Sequence, residues 1–214
     1  MTLLTIELAA SWLKECTKEL ETVEEYLTQL DKDVGDADHG KLVVQGFRRV
    51  EEHITDEFDS LHDVFNQASK ILLNDTDSTA VKLYGIAFNE MAITLEGKEA
   101  TVQQFSHSLR SAVNKMKKVG NSKRGDKTLI DVWEAMADLA EEKETLRSAD
   151  FEDKAKSVLK TSKHLMAQKG KASEYGSESV GFLDPGTVSS YYLFLALTNV
   201  IEKAENKDSV SKTT

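Results

Sequence analysis

Proline is almost missing from this chain. A single Pro, Pro185, stands among 214 residues. That suits a protein built of long helices, because proline interrupts the hydrogen-bond ladder of a helix interior. Cysteine is as scarce: Cys16 alone excludes an internal disulfide and points to a reducing compartment. Basic charge is in deficit, with 27 Lys and Arg against 37 Asp and Glu for a net charge of −10. That sign argues against a binder of nucleic-acid phosphates. No run approaches the ~18 consecutive apolar residues of a membrane span. The opening MTLLTIELAASWLKEC is amphipathic and lacks the basic start of a signal peptide, so a cytoplasmic protein is expected. What the chain does have is 40% hydrophobic and 30% charged residues, an ordinary globular balance at a length that can bury a sizeable core.

The apolar residues keep helical time. Ile6, Ala9, Leu13, Cys16, Leu20, Val23, Leu27 and Leu30 are separated by three or four positions, one face of a helix from about Thr5 to Leu30. Cys16 lies on that face and reads as a buried structural thiol. Further helices are expected after Gly40, after Ser60, from about Ser78, from Thr101, after Asp126, from Asp150 to about Gln168, and after Asp184-Pro185-Gly186. Thr101 and Gln104 have the form of a capping box. Eight segments joined by short polar links, without strand alternation, predict an all-α, antiparallel up-and-down assembly in one domain over 1–205. The stretch 206–214 has no apolar face and is expected to be a disordered tail.

Three connections carry residues that packing does not require. In Leu30-Asp-Lys-Asp-Val-Gly-Asp-Ala-Asp-His-Gly40, four carboxylates repel one another unless a cation lies among them, and hard divalent ions take such oxygens. An EF-hand is excluded, because its obligatory glycine would fall on Asp36 or Asp38. A plain capping loop fits the same residues, since Asp is common in loops. The second connection, Val119 to Thr128, is a glycine-bearing loop entering a helix, able to present backbone N–H groups to an anion or simply to cap. The third, Gln168 to Gly186, holds Gly170, Gly176 and Gly181 without apolar periodicity, the composition of a lid or a disordered loop.

Together these segments resemble the nucleotide-binding L subunit, or L domain, of dihydroxyacetone kinases. The resemblance runs from about Leu4 to Lys203 on LDKDVGDADHG at 30–40, LYG at 83–85, RGDKTLIDVW at 124–133, KGKAS at 169–173 and SVGFLDPG at 179–186. It implies an eight-helix antiparallel barrel with a nucleotide at one mouth. It implies ADP or ATP held with Mg²⁺, two ions in the family. It implies a phosphoryl relay from a phosphotransfer-system protein, fed by phosphoenolpyruvate, to a ketose on a separate K-type subunit. Association as a homodimer is a further option. By position, Asp31, Asp36 and Asp38 correspond to the metal-binding aspartates. His39, Ser78, Thr79, Lys82, Gly125, Thr128, Leu129, Lys171, Asp184, Pro185 and Gly186 correspond to the nucleotide site.

The departures concern the phosphate side. Where the family carries a glycine-rich run before Leu-Tyr-Gly, this chain has Asp77-Ser78-Thr79-Ala80-Val81-Lys82, and Leu42 replaces an asparagine. Glu178 stands where an arginine is expected to face phosphate, which reverses a charge. Lys82 and Lys171 are candidates to compensate. The leading expectation is a phosphotransferase subunit. The alternatives are a non-catalytic regulator or adaptor of a K-type subunit, and a metal or ligand sensor.

Overall fold

The computed structural model describes residues 2–35, 37–55, 57–74 and 76–211. The chain opens with a short strand β1 (Thr2–Thr5) and helices α1 (Ile6–Thr22), α2 (Glu24–Val34), α3 (His39–His53), α4 (Leu61–Leu73) and α5 (Thr79–Thr94). Strand β2 (Glu99–Thr101) precedes α6 (Val102–Gly120), α7 (Leu129–Glu142), α8 (Ser148–Ser162), a 3-10 segment (Lys171–Ser179) and α9 (Pro185–Ser211).

Sequential helices from α3 to α9 pack side by side, α9 returns onto α1, and α1 meets α3. The circuit is therefore closed, an all-α up-and-down barrel, with α2 as an appendage of the first stave. The predicted first helix is in fact two. Val23, at φ −124° and ψ 11°, leaves the helical region between α1 and α2. Its carbonyl still accepts from Leu27 N–H at 2.8 Å, so the stripe of apolar residues continues across the break.

The barrel is filled by aromatic rings. Trp12 lies about 6 Å edge-on to Phe65 and Phe88, and Trp133 packs 5.1 Å from Phe194 and 6.1 Å from Phe88. All are buried, as is Cys16. Edge-to-face pairs suit the ring quadrupoles and add to the area buried. Trp12 Nε1 donates to the Leu193 carbonyl at 2.7 Å, which ties α1 to α9 across the seam where the ring closes.

Three expectations need correction. A small antiparallel ribbon, β1 with β2, is present although no strand was legible; Thr2 faces Thr101 and Leu4 faces Ala100. Four and three residues are too few to display an alternation. The helix predicted to reach Gln168 ends at Ser162. Of the stretch 206–214, expected to be a disordered tail, residues 206–211 continue α9, because each added residue of an established helix needs only one further backbone bond, and 212–214 lie outside the described residues.

Candidate functional site

Antiparallel alternation has a consequence for charge. Every second helix must present its N-terminus at the same end of the barrel. The first residues of α3, α5, α7 and α9 surround one cavity of about 510 Å³. Helix N-termini carry partial positive charge and unpaired N–H groups, so this end is predisposed toward anions. The volume lies in the range of small-ligand sites.

Each end is fixed by local chemistry. At α3, Asp31 reaches from α2 and its Oδ2 accepts from the N–H groups of Asp38 (2.9 Å) and His39 (3.0 Å). Gly40 lets the two helices approach this closely. A Cβ there would lie 2.3 Å from the Glu24 carbonyl oxygen and 2.6 Å from Thr28 Oγ1. At α5, Ser78 Oγ accepts from Val81 N–H. At α7, Thr128 and Asp131 form a capping box, and Asp131 also accepts from Gly125 N–H at 2.6 Å. At α9, Pro185 occupies the first helical position, where its missing N–H costs nothing, and Asp184 Oδ2 accepts from Thr187 N–H at 2.6 Å.

The wall has two characters. Leu42, Leu83, Leu129, Ile130 and Pro185 make an apolar side, while Asp31, Asp38, Asp77, Lys169 and Lys171 bring charge. His39 is buried, and its Nε2 shares a hydrogen bond with Ser189 Oγ at 2.9 Å. Burial pulls its pKa down to about 4 and keeps the ring neutral at pH 7. Ser189 continues to the hydroxyl of Tyr84, at 2.7 Å, which also lies 2.9 Å from Ser190. This network sets the start of α9 against α5. Burial raises Asp184 to about 6, although its bonds to Thr187 and the charge of Lys127 act in the other direction.

Most of the residues singled out in the sequence meet here. Asp31, Asp38, His39, Ser78, Thr79, Thr128, Leu129, Lys171, Asp184, Pro185 and Gly186 all line the cavity. Asp36 lies outside the described residues, as does the Asp33 side chain. Two residues are placed elsewhere. Lys82 is exposed and off the wall, because it projects from the first turn of α5 opposite buried Val81 and Leu83. Gly125 serves its own loop: at φ 85° it takes a left-handed conformation and gives its N–H to Asp131. Glu178 is exposed and absent from the wall.

Lys169, Gly120 and Ser122, noted in the sequence only as parts of motifs or loops, line the wall too, and Asp131, not singled out, lies behind it. The Thr128-x-x-Asp131 spacing signalled the last of these. Also missed was an ion network. Arg110 donates to Asp138 and Glu141, Arg124 donates to Asp138, and Lys117 pairs with Glu134. It ties the loop after α6 to the outer face of α7, and no local sequence pattern announces it.

Magnesium suits the donors present. Asp31 and Asp38 offer hard carboxylate oxygens. Among the described residues no three such side chains are gathered as a complete metal cluster. No helix among the described residues is long and apolar enough to cross a membrane.

A helical barrel with an acid-marked, N-terminus-lined mouth defines the class. The DAK2 domain model matches residues 33–199, and the chain belongs to that family. It is 30% identical over 200 residues to the ADP-binding subunit DhaL of the PTS-dependent dihydroxyacetone kinase of Lactococcus lactis, covering 93% of this chain and all of that one. It is 28% identical to the ADP-binding subunit DhaL of the PEP-dependent dihydroxyacetone kinase of Escherichia coli, covering 87% and 93%. The dihydroxyacetone kinase of C. freundii superposes with a TM-score of 0.71 at 21% identity, over 90% of this chain and 34% of that longer one, which bears on the fold alone.

Proposed function

We propose that this chain is the nucleotide-bearing subunit of a phosphoenolpyruvate-dependent dihydroxyacetone kinase. It holds ADP with Mg²⁺ and passes a phosphoryl group to a small ketose on a separate K-type subunit. A phosphotransfer-system protein is the donor, and the assembly works in the cytoplasm. The observation that carries this reading is the convergence of four helix N-termini and the Asp31–Asp38 carboxylates on one cavity.

Bound magnesium neutralises charge on phosphate oxygens during phosphoryl transfer. The chain's own residues do the positioning. Asp31 and Asp38 would hold the ions, and the first turns of α3 and α5 would receive the phosphates. Leu83, Leu129 and Ile130 offer an apolar wall for a base. The segment Lys169–Ala172 also lines the cavity and brings two lysines to it. Neutral His39 holds α9 through Ser189 without adding a competing charge.

Calorimetric titration with ADP should show binding that requires Mg²⁺. Mixing with a K-type subunit, a phosphotransfer-system donor and phosphoenolpyruvate should then convert dihydroxyacetone to its phosphate. A chain that fails to bind ADP with Mg²⁺ overturns the reading.

One observation favours a second reading. Asp77 puts a carboxylate on the wall where the related kinases are expected to carry glycine. A regulator or adaptor would capture a K-type subunit while leaving ADP unbound, and pull-down set beside calorimetry separates the two.

A further inference from the structure

The segment between α8 and α9 is attached to the barrel mainly through polar groups. Its own apolar cluster, Ala167 with Ala172, is separate from the main core. Its two limbs are joined by Ala167 N–H donating to Ser179 Oγ at 2.9 Å and Gly181 N–H donating to the Lys163 carbonyl at 2.8 Å. The ends of this lid are held from outside by a side chain that the nucleotide reading has not used. Lys127 is 2% exposed. Its ammonium donates to the Leu165 carbonyl at 3.0 Å on one limb and to the Ser179 carbonyl at 2.5 Å on the other. The neighbouring Asp126 carbonyl accepts from Gln168 N–H at 3.0 Å.

The placement of this lysine is costly in two ways. A buried ammonium loses its hydration, and Lys127 has φ 60°, a left-handed conformation that side-chain-bearing residues avoid. Both costs are met at a residue directly before Thr128, which lines the cavity. Lys127 thus joins the wall at the start of α7 to the wall formed by Lys169–Ala172.

We propose that Lys127 is a positioning residue that clamps both limbs of the lid over the cavity and so sets how long a nucleoside diphosphate stays bound. The clamp itself rests on geometry; the ligand it retains rests on the nucleotide reading above.

Three variants of the full chain test this: Lys127→Met, Lys127→Gly and Lys127→Arg. Met keeps most of the volume and removes the charge, leaving the Leu165 and Ser179 carbonyls without this donor. Gly removes the charge and relieves the left-handed backbone. Arg keeps donors able to reach carbonyls. Hydrogen exchange of the ligand-free chain should accelerate roughly tenfold in 166–181 for Met and Gly, about the size of one charge-assisted bond, and be restored at least in part by Arg. Amides of α5 should be unaffected and the melting temperature should change little, because the segment opens locally and not with the core. Stopped-flow binding of ADP with Mg²⁺ should show dissociation faster by a similar factor and association within about twofold. A purely structural role would instead lower the melting temperature and speed exchange throughout. Unchanged exchange in 166–181 for both Met and Gly overturns the clamp. A loosened segment with unchanged dissociation overturns its effect on the ligand. Failure of the wild-type chain to bind ADP sinks the nucleotide reading instead, and the exchange comparison alone then decides the clamp.

Discussion

The barrel gathers helix N-termini at both ends, yet the two ends differ. At the end away from the cavity, α1, α4 and α6 cap themselves: Thr5 accepts from Leu8, Ser60 from Asp63, and Thr101 with Gln104 forms a capping box. The ribbon of β1 and β2 ties these ends together, and Leu61 N–H donates to the Gly97 carbonyl at 2.8 Å. At the mouth, α3 is capped by Asp31 from another helix. The described non-glycine residues with positive φ are Ala37, Asn121 and Lys127, and all lie in connections at the mouth. Aligned dipoles alone therefore do not make a site. What distinguishes the mouth is an acid borrowed from α2 at the start of α3, the long connection that leads into α9, and left-handed backbone accepted in its loops.

The largest effect should come from the acids at the mouth. Asp31→Asn together with Asp38→Asn removes two charges from the cation site, while the amide oxygen introduced at position 31 can still accept from the α3 N–H groups. Mg²⁺-dependent ADP affinity should fall at least ~100-fold with little change in melting temperature. At the opposite end, Thr101→Ala should cost ~1 kcal/mol of stability and leave ADP binding alone. If the two variants have similar effects on binding, the ends are not functionally distinct.

Gly40→Ala tests the closeness of α2 and α3. The added methyl would collide with backbone and force the helices apart, at ~1–3 kcal/mol of stability. Because α3 begins with His39 and follows Asp38, ADP binding should weaken as well. Denaturant unfolding and calorimetry read the two effects separately.

Asp184 gives the mouth a pH signature. Its folded pKa of about 6 lies above the ordinary value of 3.8. The folded state therefore binds the proton more tightly, and this group's contribution to stability is present below pH ~4 and lost as pH rises to 6. Asp184→Asn can keep an acceptor for Thr187 and removes the titration. Relative to wild type, the variant should gain on the order of 2 kcal/mol between pH 4 and 7, read from unfolding at each pH. A constant difference across that range would mean the carboxylate is not buried.

How much of this was legible follows from what each feature depends on. The helices were legible because burial repeats every three or four residues, as from Ile6 to Leu20. The break at Val23 was not, because valine is ordinary in a helix and the stripe runs through it. The cavity residues were legible because they stand in short segments, 30–40, 124–133 and 179–186, whose residue types match one family together. Lys127 and the Arg110–Asp138–Arg124 network were not, since their partners lie far away in the chain and are joined only by the fold. Glu178 was legible only as a charge reversed within a motif; a direction away from the phosphates was the expectation for a working nucleotide site, and it lies exposed and off the cavity wall, in the segment kinked at Gly176 with φ 51° and ψ −125°.

The smallest expected effect is at that residue. By resemblance, Glu178 occupies the place of an arginine facing phosphate, and restoring the positive charge would then tighten binding. In the structure Glu178 is exposed and off the cavity wall, while Lys169 and Lys171 line it from the same segment. The segment's positive charge therefore reaches the cavity from residues earlier in the chain. A charge at the solvent face is screened within a Debye length of ~8–10 Å, and exposed pairs contribute little. Glu178→Arg should accordingly change Mg²⁺-dependent ADP affinity by no more than about twofold, or ~0.4 kcal/mol. The same substitution in a Lys127→Met background should have a larger effect, because a released lid can turn residue 178 inward. Tenfold tightening by Glu178→Arg alone would mean that the lid closes further on the ligand than it does here, and that the mouth is still more unlike the other end of the barrel.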